Sequence, residues 1–186
     1  MSDLISILGF AGSLRSNSYN RALLRVAAEL MPENAKLDIF DLEGIPPFNQ
    51  DLESQPPQKI HDFKARIKAA DAILIATPEY NYSIPGVLKN AIDWASRPPI
   101  DNAWQGKTVA IMGVSIGRFG TSRAQYHLRQ CFVAVGMYAV NYPEVMVTNA
   151  QRNFDGAGRL TDDHAKEIIA ELLRELVDLT RKMKSE

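Results

Sequence analysis

A chain of 186 residues with 21 Lys and Arg against 22 Asp and Glu carries a formal net charge of −1, which removes the bulk electrostatic case for nucleic acid or an anionic membrane as a partner. Apolar residues make up 46% of it, and no run approaches the roughly 18 residues of a membrane span. Length and composition therefore predict one soluble domain, residues 1–186, with a sizeable core.

The first element is a strand. "LISILGF" (4–10) is continuously apolar, as a strand covered on both faces should be. A polar turn follows, and residues 18–31 read as a helix whose apolar face is Leu23, Leu24, Ala27, Ala28 and Met31, with Pro32 after its stop. "AKLDIFDL" (35–42) alternates like a strand nearer the sheet edge. A proline-rich loop, "IPPFNQDLESQPP", leads to a charged helix over 59–69. "AILIA" (72–76) is a second fully apolar strand, followed by the loop "TPEYNYSIPG" and a helix over 85–95. "TVAIMGV" (108–114) is a strand, "SIGRFGTS" a loop, and a helix runs on to about 135. Within that helix Cys131, the only cysteine, excludes an intrachain disulfide and is expected as a small buried hydrophobe. One strand is expected over 138–147 and an amphipathic helix over 162–183.

Five strands alternating with helices predict an α/β three-layer sandwich, a parallel sheet with helices on both faces. The flavodoxin-like order 2-1-3-4-5 suits the length. It sets the loops after strands 1, 3 and 4 side by side around one crevice.

Those loops carry the chemistry. "GFAGSLRSNSYNRALLRVAAEL" (9–30) holds no acid before Glu29. A helix N-terminus offers unpaired N–H groups and the positive end of a dipole. Hydroxyls of Ser13, Ser16 and Ser18, the amide of Asn20 and the guanidinium of Arg15 complete an anion cradle that an acid would compete with. Hydroxyls and one arginine suit a terminal phosphate monoester better than a pyrophosphate, and the dinucleotide pattern G-x-G-x-x-G is absent. The second loop is stiffened by Pro78 and Pro85 and offers Glu79, Tyr80, Asn81, Tyr82 and Ser83 to a flat ligand. The third brings Ser115, Gly117, Gly120 and a further cation, Arg118.

"GSLRSNSYN" and "PEYNYSIPGVLKNAIDW" resemble the two signature loops of the NAD(P)H-dependent FMN reductase family, the flavodoxin-like quinone, azo-compound and chromate reductases. The resemblance runs from residue 4 to about 147. It implies non-covalent FMN, its phosphate on Ser13, Arg15, Ser18, Tyr19 and Asn20. The isoalloxazine would lie against Pro78, Glu79, Tyr80, Asn81 and Ser83, with the loop at Ser115 and Gly117 closing the far side. It also implies NADPH or NADH as co-substrate and a ping-pong delivery of two electrons. The acceptor would be a quinone, an azo or nitro compound, a metal oxyanion such as chromate, or free flavin.

No side chain is obliged to act as acid or base, so no catalytic residue is named. His61, His127 and His164 lack metal spacing and are expected to be structural or surface residues, so no metal is expected either. Two rivals remain: a flavodoxin-type electron shuttle, and a serine hydrolase using "GVSIG" (113–117) as a nucleophile elbow with Ser115, Asp163 and His164. A homodimer, with a tetramer as a further step, is expected from the apolar surface that Trp94, Ile100 and Trp104 would expose. The lone cysteine and the lack of a basic flank before the first apolar stretch predict a cytoplasmic location.

Overall fold

The computed structural model describes residues 4–185. Its elements in chain order are β1 (Ile5–Ala11), α1 (Tyr19–Glu29), β2 (Ala35–Phe40), α2 (Gln58–Ala69), β3 (Ala72–Ala76), α3 (Gly86–Ala95), β4 (Thr108–Val114), α4 (Ser122–Val135), β5 (Tyr138–Ala139), β6 (Val145–Val147), α5 (Ala150–Asn153) and α6 (Asp163–Ser185). The sheet is parallel in the order β2-β1-β3-β4-β5, with β6 also paired to β4. This is the flavodoxin-like α/β arrangement expected.

The continuous apolar runs follow from two covered faces. Successive side chains of β1 point to opposite sides. Ile5 and Ile7 join α1 and α6 in one core, while Leu8 and Phe10 join α2, α3 and α4 in the other. The inner strands β3 and β4 are buried along their whole length, and β2, at the edge, is half open. On α1 the buried face is Ala22, Leu23, Leu24, Val26 and Ala27. Ala28 is exposed and Met31 half-buried, so that stripe sits slightly differently from the expected one.

Three expectations are corrected. The single strand over 138–147 is two short ones. Val140 still donates to Val109 O at 2.8 Å, but the chain then leaves the sheet through 141–144. Pro143, which has no N–H to give a ladder, sits in that gap. The apolar surface around Trp94 and Trp104 does not exist: their relative exposures are 1% and 0%. The proline-rich loop folds over α3, where Pro46 O accepts from Trp94 Nε1 and from Asn90 Nδ2, both at 2.8 Å. Phe48 packs edge-on against Trp94 at 5.0 Å. Trp104 is held by its own Nε1 donating to Ile92 O at 3.0 Å and by Phe10 and Phe63. Only Ile100 of that trio stays exposed. Cys131 is half-buried rather than buried, and desolvation pushes its thiol up from the ordinary value.

Candidate functional site

The carboxyl ends of β1, β3 and β4 open onto a cavity of about 470 Å³. The loop after β1 lines it with Ser13, Arg15, Ser18, Tyr19 and Asn20. The loop after β3 adds Pro78, Glu79 and Tyr80, and the end of β4 adds Val114, Ser115 and Ile116. Nine of the twelve expected binding residues therefore share one wall. Asn81, Ser83 and Gly117 do not reach it.

The turn after β1 is rich in donors and holds no acid in its own sequence. Ser18 caps α1, its hydroxyl accepting from Asn20 N at 3.2 Å. Ser13 is only 4% exposed, and its hydroxyl has no hydrogen-bond partner among the described residues. The backbone N–H groups of residues 13–17 also find no acceptor among them. A cavity-facing hydroxyl beside N–H groups that have no protein acceptor fits a ligand rich in acceptors. Arg15 lies 5.9 Å from the centre of the Tyr19 ring and has no carboxylate partner among the described residues. The residues present thus fit the phosphate of FMN.

Asn20 plays a different part from the donor expected of it. Its Oδ1 accepts from Val114 N at 3.1 Å and its Nδ2 donates to Val114 O at 3.0 Å. The 3%-exposed amide ties the start of α1 to the last residue of β4 and so fixes two walls of the cavity together.

Among the described residues Glu79 is the only acid on the cavity wall, and its carboxylate is engaged by α4. Its carboxylate accepts from Arg123 N at 3.0 Å, Arg123 Nε at 2.6 Å and Ala124 N at 3.3 Å. It therefore caps α4 and satisfies the positive end of that helix. It also holds the Arg123 guanidinium above its ordinary pKa. Arg123 lies in turn 3.7 Å from the centre of Tyr82 and 4.6 Å from that of Phe119.

The loop tip is a two-residue hairpin. Tyr80 and Ser83 exchange backbone hydrogen bonds at 3.0 and 2.9 Å, and Asn81 and Tyr82 both have positive φ, 49° and 68°. Such turns prefer Asn followed by Gly, so Tyr82 is strained where its ring is also 68% exposed. That geometry sends Asn81 to the tip, while Ser83 Oγ bonds His127 Nδ1 at 2.9 Å.

Across the cavity Gly113 lets β4 pass close to its neighbours. A Cβ there would collide with the Thr121 hydroxyl and lie 2.6 Å from Thr77 O. Ser115 Oγ donates to Gly117 O at 3.3 Å. Among the described residues no histidine hydrogen-bonds Ser115: His127 is engaged with Ser83, and His164 lies 4.0 Å from Glu167. The hydrolase arrangement is not assembled. Three wall residues escaped the sequence reading: Val114, Ile116 and Gln151. Ile116 stood in the glycine-bearing loop and was legible there. Gln151 comes from the four-residue α5, which has no periodicity to reveal it.

The family model for NADPH-dependent FMN reductases matches residues 5–152. An NAD(P)H-dependent FMN reductase of Pseudomonas aeruginosa is 51% identical over 185 residues, 99% of this chain and 100% of the relative. A 2-hydroxy-1,4-benzoquinone reductase of a Burkholderia species is 39% identical over 165 residues, 89% of this chain and 90% of the relative. Among solved structures, FerB of Paracoccus denitrificans, a flavoenzyme NAD(P)H:(acceptor) oxidoreductase, superposes with a TM-score of 0.88 at 33% identity, over 96% of this chain and 98% of that one.

Proposed function

Because the chain belongs to the NADPH-dependent FMN reductase family, we propose that it is an FMN-dependent NAD(P)H:quinone oxidoreductase whose nicotinamide and acceptor use the crevice in turn. The observation that carries this is the cavity-facing Ser13 beside N–H groups of residues 13–17 that find no acceptor among the described residues, in a turn whose own sequence holds no acid. When bound, FMN supplies the redox chemistry, taking a hydride from the reduced nicotinamide and giving two electrons to the acceptor.

The chain's own residues hold and shape. Ser13, Arg15, Ser18 and the first turn of α1 hold the phosphate. Asn20 keeps that turn fixed to β4, and Glu79 keeps the loop of residues 78–83 against α4. The stiff backbone of Pro78 to Tyr80, with Ser115 opposite, bounds the slot for the ring. Rigid placement of donors costs no reorganisation when charge develops on the ring. Tyr80, Tyr82, Ile116 and Phe119, between 50% and 68% exposed, border the mouth and give a planar acceptor an apolar surface. Quinone acceptors are favoured by the names of the relatives. Azo and nitro compounds, chromate and free flavin remain within reach of the same open mouth.

The same four side chains suit cover by a second copy of this chain, in a homodimer. A tetramer through α4 loses support: Tyr126 OH already donates to Glu144 Oε2 at 3.3 Å within the chain. Among the described residues no helix is long and apolar enough to cross a membrane. A single thiol suits the reducing cytoplasm. The test is a steady-state assay of the purified protein with NADPH or NADH and 1,4-benzoquinone. One hydroquinone per nicotinamide, by a protein that retains FMN, is expected. Absence of quinone-dependent nicotinamide oxidation in the FMN-loaded protein overturns the proposal.

A further inference from the structure

The segment after β6 closes part of the crevice, and the proposed function gives it no role. Its backbone is bolted to the loop after β4. Ser115 N donates to Val147 O at 3.1 Å, Ala150 N to Ser115 O at 3.0 Å and Asn149 N to Gly117 O at 3.3 Å. At the other end of α5, Phe154 N donates to Ala150 O at 3.0 Å, so the helical turn carries through to Phe154. The Phe154 ring is 7% exposed and lies 5.1 Å from the ring of Tyr19, the first residue of α1. Four-residue α5 is therefore fixed both to the loop after β4 and to the start of α1.

That double attachment aims one side chain. Residues three apart on a helix share a side, so Gln151 stands on the side by which Phe154 packs against Tyr19. It lines the crevice with Arg15, Ser18 and Tyr19. Gln151 is exposed, and its carboxamide makes no hydrogen bond to any described residue. Asn153 on the same helix differs: its amide is spent on Thr148 O at 2.9 Å. A carboxamide carries two N–H donors and no charge. It can thus add to the donors of the turn after β1 without needing a counter-charge of its own.

We infer that Gln151 is a binding residue for FMN, its carboxamide donating to the phosphate. The inference deepens the proposed FMN reading of this crevice and rests on it. The phosphate is the part of FMN concerned because α5 packs on Tyr19, at the turn after β1, whereas the ring slot is bounded by Pro78 to Tyr80. Holding α5 at both ends lowers the ordering cost of presenting the amide.

Flavin-free parent, Gln151→Ala and Gln151→Glu proteins are titrated with FMN and, separately, with riboflavin, following the quenching of flavin fluorescence. Gln151→Ala should weaken FMN about tenfold, the lower end for a hydrogen bond to a charged group, and leave riboflavin within about twofold. Gln151→Glu should weaken FMN further, by repulsion that shrinks as salt is raised, again sparing riboflavin. Thermal unfolding of the flavin-free variants should match the parent, since the side chain has no protein partner to lose. Gln151→Ala that binds FMN as tightly as the parent overturns the inference. So does an equal loss of FMN and riboflavin, which would take the amide away from the phosphate. If Arg15→Ala loses FMN while Gln151→Ala does not, the phosphate reading stands and this inference alone falls. A parent that binds FMN no more tightly than riboflavin removes both.

Discussion

Ser13 and Tyr82 mark opposite ways in which single residues serve the crevice. Ser13 makes no side-chain hydrogen bond among the described residues and its hydroxyl faces the open cavity, so the folded chain does not depend on it. Ser13→Ala should leave the free protein as stable as the parent or slightly more so in thermal unfolding, while its FMN affinity falls. A loss of stability without flavin would show that the hydroxyl has a structural partner. Tyr82 is held at φ 68° in a turn that favours glycine. Tyr82→Gly should gain about 1 kcal/mol in denaturant unfolding by releasing that strain, yet lower turnover with quinones because the rim loses a ring. Unaltered stability would mean the turn relaxes around tyrosine. Asp71 is a third case, away from the site. Burial alone would raise its pKa, but the Lys184 ammonium and the Ser6 N–H outweigh it and hold the carboxyl below its ordinary 3.8. A carboxyl depressed on folding stabilises above its unfolded pKa, and that stability is lost as pH falls through the folded one. Asp71→Asn should therefore be less stable than the parent at neutral pH, and the gap should close below pH 3.8. A gap that persists in acid would contradict the assignment.

Elements differ in how plainly the residues announced them. β1, β3 and β4 were legible because a strand covered on both faces must be apolar throughout. The crevice was legible because the loops after those strands hold most of its polar residues. What stayed hidden depends on contacts far apart in sequence. Nothing local to "DWASRPPIDNAW" shows that Pro46 and Phe48 return to cover Trp94, so the tryptophans read as an exposed face. Nothing local to Asn20 shows that its amide is spent on Val114, 94 residues away. Glu79 read as a ligand contact, yet its charge belongs to α4 through Arg123. The break between β5 and β6 is where one residue, Pro143, overrides an otherwise strand-like pattern. Asn20→Ala should cost about 1–3 kcal/mol, since it strands a buried N–H and C=O of Val114. It should also weaken FMN binding by letting α1 drift from β4. Full stability in chemical denaturation would contradict the clamp. Glu79→Ala should speed amide exchange at Arg123 and Ala124, and unchanged exchange there would detach the loop from α4.

At the scale of the molecule, two cores back one parallel sheet, and the binding groups gather at its carboxyl edge. Charge is close to balanced overall, so the proposed selection of an anion rests on local features: an acid-free turn, a cavity-facing hydroxyl, one arginine, and an acid turned aside. A homodimer would cover the rim of Tyr80, Tyr82, Ile116 and Phe119. Sedimentation at micromolar concentration should give a dimer, and a monomer of 20.7 kDa that retains FMN and turns over would remove that part of the account. The turn after β1 is proposed to hold FMN by its phosphate. The most direct measurement of that hold is a titration of flavin-free parent and Arg15→Ala protein with FMN and, separately, with riboflavin. FMN affinity should be lower by roughly 1.5–3 kcal/mol in the variant, the range for hydrogen bonds to charged groups, with riboflavin bound equally by both. Equal FMN affinity in parent and variant would contradict it.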